Sequence, residues 1–157
     1  MKHLSPLSSS EIKHINQQLE HQYGCIPEKK YFFYKNNKDR IFILTKHDSN
    51  SSIEKLNINT VGLYFANQGD NSLRLTIEGT QLIGPLATKN VIEIRKEEVQ
   101  PWMRGESLNK TIQETEFVII KYGKDYLGSG RKSNDTIANF IPKSRRIKSY
   151  REAEMLD

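Results

Sequence analysis

The side chains best suited to chemistry in this sequence are cationic, and they concentrate toward its C-terminal end. Residues 121–151 contain nine basic and two acidic residues, a net charge of 9 − 2 = +7, whereas the whole chain of 157 residues carries +5. The nine are Lys121, Lys124, Arg131, Lys132, Lys143, Arg145, Arg146, Lys148 and Arg151. Because the rest of the chain is slightly acidic, this sorting of charge predicts a surface that binds a polyanion.

Aromatic residues lie within the same basic segment, namely Tyr122, Tyr126 and Phe140. Basic side chains neutralise backbone phosphates, and aromatic rings or guanidinium planes stack on exposed bases. No recognition-helix pattern carries the charges, as the reading of a DNA groove would require. The combination therefore favours unpaired or looped RNA.

A second candidate is the loop Arg104–Glu106, which follows a predicted short helix. Trp102, the only tryptophan, is expected to anchor that helix in a core. Gly105 lets another backbone approach closely, and Arg104 places a guanidinium beside it. A loop of this kind can hold a phosphate or an unstacked base.

The sequence offers little for catalysis. It contains neither a GxxxxGK[ST] phosphate loop nor a GxGxxG dinucleotide motif. The four histidines are not spaced as a metal pair, and the single cysteine, Cys25, excludes a disulfide framework or a thiolate-rich zinc site within one chain. Glu97 and Glu98 fall in the first turn of a predicted helix, where they complement the helix dipole. We expect a protein that is not an enzyme and that uses no cofactor and no metal.

The N-terminal part combines helical and strand patterns. Ser8 and Glu11 form a capping box, apolar residues then recur at helical spacing, and Gly24 ends the helix. Aromatic and β-branched runs around turn residues predict two hairpins. The predicted elements are a helix over Ser9–Tyr23, a hairpin of Tyr31–Tyr34 and Arg40–Thr45, a short amphipathic helix with Ile53 and Leu56, a hairpin of Val61–Asn67 and Leu73–Glu78, and a turn or short helix over Thr80–Ala87.

A new pattern starts at Val91. It predicts a strand Val91–Ile94, a helix Lys96–Arg104 closed by Gly105, and strands Phe117–Tyr122, Tyr126–Gly130 and Ile137–Ile141. We therefore predict an α+β fold with two domains, residues 1–88 and 89–157. The longest apolar runs are far shorter than a membrane span and no signal-peptide pattern is present, so we expect a cytoplasmic protein without membrane association.

Several motifs resemble known RNA-binding proteins. WMRGESL at Trp102–Leu108 and FVIIKYGKDYLGSGR at Phe117–Arg131 resemble a PUA domain, the small RNA-binding pseudo-barrel of pseudouridine synthases, archaeosine transglycosylases and RNA methyltransferases. The segments VGLYFAN, LRLTIEG and GPLATKNVIEI resemble the pre-PUA half of ribosome-biogenesis factors of the Nip-seven type. NFIPKSRR at Asn139–Arg146 is similar to the C-terminal RNA-binding region of Sun-family RNA cytosine methyltransferases of the RsmF type.

This resemblance implies a mixed α/β pre-PUA domain followed by a PUA-like pseudo-β-barrel. Such a module also occurs alone in archaea, so an archaeal source is expected. The RNA-binding surface of a PUA domain lies beside its first helix and the following strand. The implied residues are Arg104, Gly105, Glu106 and Leu108, with Tyr122, Lys124 and Tyr126 nearby. Charge alone adds Arg131, Lys132, Lys143, Arg145 and Arg146.

The chain departs from the methyltransferases in what it lacks. Those enzymes use an S-adenosylmethionine-binding domain and a cysteine nucleophile beside a Pro-Cys motif. This chain has no Pro-Cys, and Cys25 lies outside the matching region. The family's catalytic residues therefore have no counterpart here.

Three functions are consistent with these patterns. The first is a non-catalytic protein that binds structured rRNA or tRNA in RNA modification or ribosome biogenesis, with a ribosome-assembly factor or an RNA methyltransferase as a protein partner. The second is a subunit that delivers substrate to a separate RNA methyltransferase. The third is a protein-interaction adaptor on the ribosome, in which the basic face only aids solubility.

Overall fold

The computed structural model describes residues 4–28, 30–45 and 62–148, and these form an α+β fold with two antiparallel-rich sheets. The strands are β1 (Ser5–Pro6), β2 (Tyr31–Lys35), β3 (Arg40–Thr45), β4 (Leu63–Gln68), β5 (Leu73–Leu75), β6 (Val91–Glu93), β7 (Phe117–Tyr122), β8 (Asp125–Ser133) and β9 (Thr136–Asn139). The helices are α1 (Ser9–Tyr23), α2 (Ile77–Ile83), α3 (Lys96–Met103) and a 3-10 turn, Lys143–Arg145.

The first sheet has the order β1-β2-β3-β4-β5, and every neighbouring pair is antiparallel. One face packs on α1 around Leu19, Tyr23, Ile41 and Phe65, which are at most 1% exposed. The pairing of β3 with β4 shifts where Phe65 of β4 is an extra residue, and the consecutive residues Phe65 and Ala66 are both buried in this core. The opposite face of the sheet remains partly exposed.

Helix α1 begins and ends where its sequence pattern predicts. The Glu11 N–H donates to Ser8 Oγ at 3.2 Å, and the Ser8 N–H donates to Glu11 Oε1 at 3.0 Å. Gly24 adopts φ +73°, and its N–H donates to the Glu20 carbonyl. The predicted helix is thus confirmed. The first predicted hairpin is also confirmed, because β2 and β3 pair antiparallel. The residues that determine both elements are close together in the sequence.

The second sheet has the order β6-β7-β8-β9, in which β6 and β7 are parallel and the other pairs antiparallel. Helix α3 covers one face of this sheet. Trp102 is fully buried there with Val118, Ile120 and Ile137, and its Nε1 donates to the Leu127 carbonyl at 2.7 Å. The buried indole therefore fixes α3 against the sheet, as its predicted anchoring role requires.

The second predicted hairpin is partly wrong. Its last strand ends at Leu75, and Thr76 caps α2 by accepting the Gly79 N–H on its Oγ1 at 3.0 Å. Ile77 and Glu78 consequently belong to a helix. Their alternation with Leu73 and Leu75 matched a strand because an alternating pattern does not reveal where a threonine begins a helix.

The two halves of the chain are closely packed together. Ile77 of α2 contributes to the second core, and Ile119 of β7 contributes to the first. The buried Gly128 N–H donates to Thr80 Oγ1 at 3.1 Å, and Ser129 Oγ donates to the Leu75 carbonyl at 2.8 Å. The predicted division at residue 88 separates the two sheets in sequence, but it does not separate their cores.

The predicted amphipathic helix with Ile53 and Leu56 lies outside the described residues. Within the part of the chain that the structure describes, no helix combines the length and apolar character needed to cross a bilayer.

Candidate nucleic-acid interface

Gly105 is the centre of the predicted loop and adopts φ +94°, a conformation that favours glycine. The side chain of Arg146 occupies the space where another residue would carry its Cβ. A Cβ built at Gly105 would lie 2.5 Å from Arg146 Cδ and 2.7 Å from Arg146 Cζ. The structure thereby brings together two predicted residues that are distant in sequence.

Asn139 holds the loop and the C-terminal segment together. Its Nδ2 donates to the carbonyls of Trp102 at 2.7 Å and of Glu106 at 3.0 Å. Its Oδ1 accepts the Ile141 N–H at 2.8 Å. The end of α3 is therefore fixed by residues of the NFIPKSRR motif. We call the group Arg104, Gly105, Glu106, Asn139 and Arg146 the Gly105 junction.

Two guanidinium groups are partly exposed at the Gly105 junction. Arg104 Nε donates to Glu106 Oε2 at 2.9 Å, and Arg146 Nε donates to the Ile141 carbonyl at 2.9 Å. The Nη atoms of both arginines make no hydrogen bond with the described residues. Each arginine is thus oriented by one internal bond and retains donors for a planar anion such as a phosphate.

The β7–β8 hairpin separates residues that were predicted to act together. Tyr122 is partly buried against the second core, whereas Tyr126 packs against the first. Tyr126 is paired with Lys121 across the strands, and the Lys121 ammonium lies 5.7 Å from its ring centroid. The two tyrosines therefore face opposite sides of the hairpin. Lys124 is exposed at the turn between the strands.

Leu108 cannot contact RNA through its side chain. It is 3% exposed and belongs to the second core. Its backbone forms a bridge with Ile137, donating at 3.1 Å and accepting at 2.9 Å. Its part in the resemblance is therefore structural, because the bridge closes the second sheet beside α3.

The remaining predicted cations lie on two further surfaces. Lys143 and Arg145 are exposed in the 3-10 turn that follows Pro142. Arg145 forms an ion pair with Glu78 of α2, so its charge is partly compensated. Lys143 makes no ion pair with the described residues. Lys132 lies on the other surface, exposed on β8.

Arg131 belongs to a stack in which two aromatic rings lie between two arginines. Its Cζ lies 4.7 Å from the centroid of Phe117, and Phe117 meets Phe140 edge to face with centroids 5.3 Å apart. Arg74 of β5 lies over the other ring, with Cζ 5.3 Å from the Phe140 centroid. Arg74 and Phe117 were not predicted, because their sequence patterns are those of ordinary strands.

No group of three or more metal-ligating side chains occurs among residues 4–28, 30–45 and 62–148. The chemistry of these surfaces is that of cations and rings presented by a fixed backbone. They can bind anions and stack on planar groups.

Comparison with known proteins finds a family match for the second half of the chain. Residues 89–147 match the family model described as the Methyltransferase RsmF PUA domain. This match includes α3, the second sheet and the whole Gly105 junction.

Two longer similarities extend over both halves. The chain is 24% identical over 140 residues to a ribosomal RNA small subunit methyltransferase F of Aeromonas salmonicida. This alignment covers 88% of the chain and 29% of that relative, so the chain spans less than a third of its length. A crystal structure of a hypothetical protein from the hyperthermophilic archaeon Pyrococcus horikoshii OT3 superimposes with a TM-score of 0.54, covering 93% of this chain and 87% of that one at 14% identity. Residues 89–147 are therefore similar to the PUA domain of RsmF, and the chain as a whole shares the fold of the archaeal protein.

Proposed function

We propose that this protein binds structured rRNA or tRNA without catalysis, in RNA modification or ribosome biogenesis. The observation that carries the proposal is the coincidence of the RsmF PUA match with the Gly105 junction. Side-chain hydrogen bonds from Asn139 and Arg146 to backbone carbonyls hold the loop, and Arg104 and Arg146 lie there beside Gly105, whose missing Cβ makes space for the Arg146 side chain. The residues of the Gly105 junction hold two positively charged groups in fixed positions, and RNA binding requires such groups.

Phosphate contacts supply the affinity in this proposal. Arg104 and Arg146 present Nη donors, and Lys124 and Lys143 add exposed charges that need no fixed geometry. Each phosphate that is neutralised releases counterions, so binding weakens as salt rises. Local RNA shape is read by the backbone around Gly105.

Fluorescence anisotropy with labelled rRNA and tRNA hairpins tests this function. We expect binding that weakens steeply between 50 and 200 mM salt, on the order of tenfold or more for several phosphate contacts. Arg104→Gln should weaken binding by about three- to tenfold and lower the salt slope by about one phosphate.

Arg95→Gln is the matched control for this variant. Like Arg104, Arg95 forms an ion pair with a nearby glutamate, in this case Glu98 at 3.3 Å. Arg95 lies at the N-terminal end of α3, whereas Arg104 lies at its C-terminal end. The affinity of Arg95→Gln should stay within about twofold of the wild type. Equal losses in the two variants would show that net charge alone is responsible and would contradict a site at Gly105.

A second candidate is a protein that delivers RNA to a separate methyltransferase. It is favoured by the similarity to a methyltransferase of which the chain spans only 29%. Affinity purification of the tagged chain should then recover a methylase, and cells without the chain should lose methylation at one RNA site. Normal methylation in those cells would exclude this candidate and leave RNA binding untouched.

A further inference from the structure

The outer face of the first sheet continues the arginine and aromatic stack. Arg74 is paired with Asn67 on β4, and Asn67 is paired with Arg40 on β3. Residues that are directly opposite on neighbouring strands point to the same face. Arg40 and Arg74 therefore share one face, while Leu73 and Leu75 are buried on the other.

Each of these two arginines lies beside an aromatic ring, Arg40 beside Tyr64 and Arg74 beside Phe140. Arg40 Cζ is 5.4 Å from the centroid of Tyr64, and the Tyr64 ring lies 5.4 Å from that of Phe42. Phe42 is paired in turn with Tyr34 on β2. All six side chains are partly exposed, although Phe33 and Phe65 on the opposite face are buried. We call Arg40, Phe42, Tyr64, Arg74, Phe140 and Arg131 the arginine–aromatic face.

The composition of this face points to its ligand. A surface that docks an apolar protein segment gains little from three guanidinium groups placed among its rings. An unpaired RNA strand uses both kinds of group, because bases stack on rings and guanidinium planes while phosphates pair with the cations. A β-sheet that presents aromatic rings is a known platform for two or three stacked bases.

We propose that the arginine–aromatic face binds an unpaired RNA strand that runs from the second half of the molecule onto the first sheet. This inference rests on the proposed function and gives the N-terminal half a direct part in it. The stack Arg131, Phe117, Phe140 and Arg74 crosses from β8 to β5, so the face exists only when the two halves are packed together. The strand that it binds is distinct from the hairpin phosphates held at the Gly105 junction.

The test is anisotropy with an unstructured, labelled RNA of about 12 nucleotides, a length within the range of one binding module. Tyr64→Leu removes a ring that is partly exposed and should weaken binding at least about fivefold. Arg74→Lys keeps the charge and removes the planar group, so it should weaken binding about two- to fivefold with an unchanged salt slope.

Lys13→Gln supplies the control, because Lys13 is exposed on α1, which covers the opposite face of the sheet. Its affinity should remain within about twofold of the wild type. Thermal unfolding of every variant checks the fold, and Arg40→Lys replaces Tyr64→Leu if the latter unfolds.

The outcomes separate the two proposals. Wild-type affinity for the unstructured RNA in Arg74→Lys and Tyr64→Leu, with weakened hairpin binding in Arg104→Gln, overturns the arginine–aromatic face and leaves the proposed function standing. Loss of strand binding with intact hairpin binding in the sheet variants supports the face. A wild-type protein that binds neither RNA overturns both.

Discussion

At the scale of single residues, the candidate interface depends on one backbone conformation. Gly105 combines a positive φ with the close approach of Arg146, so the loop requires glycine for two separate reasons. Another glycine, Gly123 in the β7–β8 turn, also has a positive φ of +59° but no neighbouring atom within 4 Å of an added Cβ. The two sites allow backbone strain and side-chain collision to be measured separately.

Gly105→Ala should destabilise the protein by about 2–4 kcal/mol, and Gly123→Ala by about 1 kcal/mol. The difference arises because only the first alanine displaces the Arg146 side chain from its place over the loop. Urea unfolding of both variants measures the free energies. Equal costs would mean that Arg146 moves aside freely and is not held at the loop.

A second residue-scale prediction concerns Glu98 at the start of α3. Burial would raise the pKa of Glu98, but the Arg95 N–H at 2.8 Å and the Lys110 ammonium at 3.1 Å together lower that pKa below its usual range. The folded pKa is below the unfolded one, so the contribution to stability is present above about pH 4.5 and is lost as the pH falls through the folded value. Glu98→Gln should lose on the order of 1 kcal/mol at pH 7 and less at pH 3, below the unfolded pKa. A pH series of thermal unfolding checks it, and equal losses at both values would contradict it.

At the scale of elements, α2 joins the two halves. Thr80 Oγ1 accepts the buried Gly128 N–H at 3.1 Å and donates to the Ile77 carbonyl at 2.6 Å. Thr80 is fully buried, and Gly128 is buried in the adjoining strand. The hydroxyl therefore satisfies a backbone donor of β8 that water does not reach.

Thr80→Val should destabilise the protein by about 1–3 kcal/mol, because it leaves the Gly128 N–H without an acceptor while nearly preserving volume. Thr136→Val is the control. Its hydroxyl also donates to a backbone carbonyl, that of Ser133 at 2.8 Å, but at an exposed site where water substitutes. A Thr80 variant as stable as the Thr136 variant would show that α2 and β8 are not coupled through this bond.

Sequence reasoning succeeded for elements whose signals are local. The capping box of α1, the glycine that ends it and the tryptophan of α3 are each recognised from a few neighbouring residues. The strand end at Leu75 was missed because Thr76 and Glu78 fit an alternating pattern as well as a helix start. Arg74 was missed for a different reason, since its partner Phe140 is 66 residues away and only the packing of the halves brings them together.

At the scale of the whole molecule, each half contributes a buried side chain to the core of the other, so the two halves should unfold together. Trp102 reports on the second core alone because it is the only tryptophan and is buried there. Far-ultraviolet circular dichroism reports on both sheets and all helices. Tryptophan fluorescence and circular dichroism should therefore give one coincident urea transition. Two separate midpoints would show that the halves are independent domains.

The ion pair between Arg145 and Glu78 has a consequence for any anion that reaches the 3-10 turn. Glu78 already acts as an internal counterion, so an incoming phosphate must exchange with a carboxylate instead of filling an empty position. The affinity of that position is then a difference between two ion pairs, and the same exchange would release one polar link between α2 and the C-terminal segment. The Arg145 guanidinium can therefore pair either with an RNA phosphate or with Glu78, so RNA binding at this position weakens the contact between the two halves.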